Sequence, residues 1–241
     1  MTERIILTSK QGVGLSHDFE TQFNSEMRFN AGYRIALKSM TMWNSWNNID
    51  AKYNNNTLTY KQGSTWSKIV FDNGNYTLKQ INNYLMSFLQ STDPLETPII
   101  FGIDEPTGRF GVILKPDCQV DFSTGELYKL LGFNPIIYTS TTIAPNLANI
   151  SRGVDKIHVN CSIVRDSRYG KETSTNILYQ FSPTSPPHSL IIIKEIDPIF
   201  VNSFNDSTIR RIRMTITDQN NNIIDLNGQD VEYELIFKPV K

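Results

Sequence analysis

The sequence is poor in the residues from which reactive centres are built. His17, His158 and His188 are scattered over 241 residues, and the two cysteines, Cys118 and Cys161, lie far apart with no CxxC spacing. A metal-binding cupin needs a His-x-His pair, a carboxylate a few residues later and another histidine, because the metal must gather several ligands at one barrel mouth. No such set occurs. With no histidine near Cys161 in sequence, Cys–His nucleophilic catalysis has no support either. Both cysteines read as buried free thiols in a reducing compartment. His158, on the polar side of an alternating segment, reads as a surface histidine.

Charge of one sign is lacking as well: 23 Lys+Arg stand against 24 Asp+Glu, a net charge of −1. Such a chain has no long-range field to draw it to nucleic acid or an acidic membrane surface, which excludes general genome packaging. No apolar stretch approaches the length of a membrane span, and Ile5-Ile6-Leu7 is too short for a signal peptide. No tandem repeat points to a solenoid, propeller or duplicated sandwich. Gly12-Val13-Gly14 is too short to cradle a phosphate, with no Lys-Ser/Thr behind it. Sequons at Asn55, Asn75, Asn149, Asn160 and Asn205 read as accidents of a high asparagine content.

What the chain does have is alternation. Ile212, Met214 and Ile216 alternate with Arg211, Arg213, Thr215 and Thr217, and Val231, Tyr233, Leu235 and Phe237 with Glu232, Glu234 and Lys238. Period two places one row on a core and the other outward, as in half-buried strands. Tyr33, Ile35 and Leu37 repeat the pattern, and Ile157, Val159, Cys161 and Ile163 give its cleanest instance. Further short strands are expected at 57–60, 66–71, 99–103, 109–114, 177–181 and 190–196. Gln62-Gly63 and Asp104 to Gly108 act as hairpin turns, and Trp43 to Asn56 reads as a long loop.

Two helices interrupt this pattern. Thr77 with Gln80 resembles a capping box ahead of the apolar stripe Leu78, Ile81, Leu85 and Phe88. Ser123 with Glu126 suggests a second, short helix through Leu130, stopped by Gly132. About ten strands, two helices in connections and no βαβ rhythm predict an all-β protein of two packed antiparallel sheets. With no linker in view, the expectation is an arm or first short strand over 1–18 and a single jelly-roll domain over 19–241.

Two basic clusters remain, Arg165, Arg168 and Lys171, and Arg210, Arg211 and Arg213. Each is short and has acidic residues nearby, so pairing with carboxylates, for example Glu232 and Glu234, is expected over nucleic-acid contact. The acidic pairs Asp104-Glu105 and Glu195/Asp197 sit beside turn or strand prolines, and the first, at a hairpin tip, reads as solvated.

The order of segments resembles a known family. Val120-Asp121-Phe122-Ser123 leading into Leu127 to Phe133, Ile157 to Val164, Ile212 to Asp218, and Ile224 to Gly228 followed by Val231 to Phe237 are similar to minor capsid (penton) proteins of Polinton/Maverick elements, adintoviruses and virophage-like viruses. The resemblance implies a single vertical jelly roll, without catalytic, cofactor-binding or metal-binding residues. It also implies a homopentamer at icosahedral five-fold vertices, among trimers of a double jelly-roll major capsid protein and other minor or cement proteins. The virion is its implied location, after assembly in the host cell. The first thirty residues lie outside the resemblance; from its glycines, Gly12 and Gly14, the stretch Thr8 to His17 reads as a flexible arm that orders on a neighbour. Two other readings stay open: a glycan- or receptor-binding jelly roll with Trp43, Trp46 and Trp66 stacking on sugars, and a β-sandwich hydrolase with two carboxylates facing a cleft.

Overall fold

The computed structural model describes residues 3–29, 32–150, 154–165, 175–202 and 208–240. In chain order its strands are β1 Glu3–Thr8, β2 Val13–Leu15, β3 Asp18–Arg28 and β4 Tyr33–Trp43. Next come β5 Thr57–Gln62, β6 Thr65–Val70, β7 Ile99–Asp104, β8 Arg109–Leu114, β9 Cys118–Asp121, β10 Ile137–Tyr138 and β11 Thr142–Ile143. The remainder are β12 Ile157–Cys161, β13 Ile177–Phe181, β14 Leu190–Lys194, β15 Val201–Asn202, β16 Thr208–Asp218 and β17 Glu232–Pro239. Helices α1 Leu78–Phe88 and α2 Leu127–Leu131 lie in connections. The chain is all-β.

Contacts divide it into two compact units, 1–46 with 154–241, and 47–153. The first is made of two antiparallel sheets, β1-β17-β4-β14 with β15 also on β4, and β13-β12-β16-β3-β2. Without the short β2 and β15, its eight strands pair first with last, second with seventh, third with sixth and fourth with fifth. That is one long antiparallel hairpin rolled up on itself, the jelly roll. The alternating rows of β16 and β17 belong to different sheets and meet across the core. Ile212, Met214 and Ile216 face Tyr233, Leu235 and Phe237 in one buried cluster, and the rings of Phe19 and Tyr233 stack between layers at 6.1 Å. Each fully buried large side chain contributes on the order of 1.5–3 kcal/mol.

Residues 3–15, expected as an arm or short strand, are laid onto the sandwich: β1 along β17, and β2 along β3. Gly14, at φ +131°, permits the second contact, since a Cβ there would meet the Asp18 carbonyl oxygen at 2.4 Å.

The second unit interrupts the first between β4 and β12. Its sheets run β10-β9-β5-β6 and β11-β8-β7, where the sequence reading expects the same strands in one continuous domain. The α1 capping box forms as expected, and Ile81 and Leu85 are buried. At α2 the expected cap does not form: Glu126 makes no capping bond, and the Ser123 hydroxyl turns back to Asp121.

Asparagine is frequent for a structural reason. Asn48, fully buried, accepts from the Tyr76 N–H and donates to the Tyr76 and Ile150 carbonyls. Asn82 of α1 gives the same donor–acceptor pair to Phe101 of β7. An amide side chain can thus replace a missing strand partner, satisfying backbone groups that would be costly to leave unpaired. Of the expected Trp43–Asn56 loop, Trp43 ends β4 and Ala51–Tyr53 form a 3-10 turn, and the rest is an ordered connection held by such bonds.

Candidate functional site

The jelly-roll unit has two unlike outer surfaces. On the β13-β12-β16-β3-β2 sheet the outward rows of β16 and β3 are largely polar, while Val13 and Leu15 of the edge strand β2 are exposed aliphatics beside them. Arg213 Nε and Nη2 donate to the Asp18 carboxylate at 2.7 and 2.5 Å, and the Thr215 hydroxyl donates to it at 3.0 Å. These bonds, the Arg213 pair foremost, hold the Asp18 carboxyl below the usual carboxylate range despite its partial burial. Arg211 lies 3.7 Å from Glu20, and Arg210 pairs with Glu26. The arginine cluster is therefore paired with carboxylates as expected, but on neighbouring β3. Of the other suggested partners, Glu234 is bound instead to Arg4 at 2.6 Å and to the Ser39 hydroxyl at 2.8 Å. Arg165 donates its backbone N–H to Asn202, whereas Arg168 and Lys171 lie outside the described residues.

Two open depressions mark this face, of about 680 Å³ around Asn160, Thr215 and Thr217, and about 760 Å³ around Glu20, Glu26 and Arg211. Glu20 and Glu26, at the second of these, are both tied to arginines. His158 occupies the expected polar parity but is fully buried, not on the surface. Burial lowers its pKa, opposed by Asp218 and an Asn221 hydrogen bond. Residues 219–222 belong to the connection after β16, whose lateral position alternation does not reveal.

The opposite sheet presents a different outer surface. Edge strand β14 places Ile191 inward, while Leu190 and Ile192 point out beside Trp43 and Thr41 of β4. Ile192 is 54% exposed, and in the following loop Ile196 and Ile199 are 96% and 80% exposed. At the other edge, Ile6 of β1 is 53% exposed. The sequence reading expects a strand over 190–196, and nothing in the run Leu190-Ile191-Ile192-Ile193 marks it as an edge.

Cys118 and Cys161 are free and buried, as expected. Burial pushes the Cys161 thiol up to about 12, which leaves it un-ionised and unreactive at neutral pH. Among the described residues no three His, Cys, Asp or Glu gather for a metal, and no helix is long and apolar enough to cross a membrane. Sequons at Asn55, Asn75 and Asn160 are buried, Asn149 is exposed, and Asn205 lies outside the described residues. Trp46 is core, only 5% exposed, so it offers no platform for sugars, while Trp43 and Trp66 are partly exposed.

No protein-family model and no curated protein matches the sequence. Among solved structures, the mavirus penton protein matches with a TM-score of 0.52 and 8% identity, over 100% of both chains. The chain shares its fold with that penton protein. A chain of the Sputnik virophage structure aligns with a TM-score of 0.46 and 14% identity, over 99% of this chain and 98% of that one.

Proposed function

We propose that this chain is a structural capsid subunit: a penton that forms homopentamers at icosahedral five-fold vertices, seated among double jelly-roll major capsid proteins in the virion. Both units act in this reading as parts of one subunit. The observation that carries it is the jelly roll with a unit inserted between its third and fourth strands, aligned with the mavirus penton protein along the whole of both chains. Physical features support it. A sandwich closed by a continuous apolar core is a rigid block. Its outward arginines are neutralised by carboxylates of the same chain, and a net charge of −1 lets many copies crowd without long-range repulsion.

Light scattering on the purified protein, alone and with its major capsid partner, tests the reading. The expected mass is five times that of the 27.5 kDa subunit, with uptake into particles. A strict monomer that never enters particles would overturn it.

A further inference from the structure

The β14 edge of the β1-β17-β4-β14 sheet is apolar for an edge left open, and the β1 edge presents Ile6 between Arg4 and Thr8. Natural sheets blunt their edges with charge, proline or bulges, because unpaired backbone groups invite another strand. Here β14 carries Leu190-Ile191-Ile192-Ile193 before its first charge at Lys194, and β1 carries Ile5-Ile6-Leu7. Among the described residues neither has a strand partner on its outer side. Leu190 and Ile192 line the β14 edge, where the following loop adds Ile196 and Ile199, and a single outward aliphatic, Ile6, stands on the β1 edge.

Strand direction points to the occupant. Every neighbour pair in this sheet is antiparallel, so over four strands β1 and β14 run in opposite senses. A second copy repeating the first by rotation brings its β1 to the β14 side antiparallel, and the alternation continues across the junction. A face-to-face twofold dimer would instead set an edge against its own copy and leave the other edge bare. A head-to-tail junction uses both edges once, and by repetition it closes a ring.

We infer that the β14 edge, with the Ile196–Ile199 loop, is the surface that receives the β1 edge of a second copy of this chain. This deepens the proposed capsid role and rests on it. The exposed isoleucines supply the apolar core of the contact, and open backbone groups supply its direction.

Ile6→Lys and Ile192→Lys break opposite halves of the junction, and Ile196→Lys challenges the β14 side from a loop without altering a strand. Each is studied by light scattering under conditions where the unaltered chain assembles, with a melting curve beside it. Melting temperatures are expected to hold, and self-affinity to weaken about tenfold or more, since a lysine would have to be desolvated at the junction. Mixed in equal amounts, Ile6→Lys and Ile192→Lys are expected to give a dimer and nothing larger, because only one intact junction can form between them. Assembly undiminished in Ile192→Lys and Ile196→Lys overturns the edge assignment and leaves the capsid reading standing. So does a mixture that stays monomeric or restores full-size assemblies. An unaltered chain that never associates, alone or with the major capsid protein, overturns both.

Discussion

The two sheets of the jelly-roll unit share a core and differ in what they show the solvent. One carries arginines and carboxylates in quantity, and these satisfy one another within the chain. The other spreads its charges over β1, β17, β4 and β14, and its β14 edge, with the loop after it, leaves a run of aliphatics uncovered. The charged face looks more like a binding surface in sequence, yet its groups are already engaged. Surplus binding capacity lies with the unpartnered side chains.

Substitutions can break or sharpen that contrast. The largest effect belongs to the shared inner face: Phe237→Ala, fully buried in the core, is expected to cost about 3–5 kcal/mol in chemical denaturation. Next is the polar face's most enclosed pair. Asp18→Ala strands Arg213 and is expected to cost about 1–2 kcal/mol. Because the Asp18 carboxyl is held down in the folded chain, its contribution is complete above the unfolded-chain value and fades as pH falls through the lower folded one. Wild-type stability should thus decline on acidification from about pH 4 downward, and Asp18→Asn should flatten that decline. An unchanged acid profile would show the pair to be inert.

Smaller effects follow. The Tyr233 hydroxyl is buried with no hydrogen-bond partner, so Tyr233→Phe should raise stability by up to about 1 kcal/mol. A loss there would point to a bond the hydroxyl makes in solution. Arg211→Ala, at an exposed ion pair, should change stability by no more than about 0.5 kcal/mol. Smallest of all on folding is Ile192→Lys: denaturation should be unaltered, so any defect it has must lie in association.

Much of the fold is legible in the chain, since period-two rows at 212–216 and 231–237 record which side chains face a core. The α1 capping box is legible because Thr77 and Gln80 act locally. What alternation lacks is adjacency. It cannot say that β16 and β17 lie in opposite sheets, or that Arg210, Arg211 and Arg213 find their carboxylates on β3, some 190 residues upstream. The inserted unit escapes notice for the same reason: its strands use the same alphabet as the sandwich, and no glycine- or proline-rich linker marks Asn47 or the end of the insertion. Trp46, the last residue before that boundary, reads as a possible sugar platform until its burial is known. The exposed edge at β14 is the least legible feature, because four aliphatics in a row are also the signature of a strand covered on both sides.

The proposed role has this chain docking to copies of itself and to other shell proteins. A reconstruction of assembled particles tests it most directly. The account predicts density for five copies around each five-fold vertex, with neighbouring copies meeting along β14 and β1. Particles that close without this chain, or that hold it as isolated single copies, would contradict it.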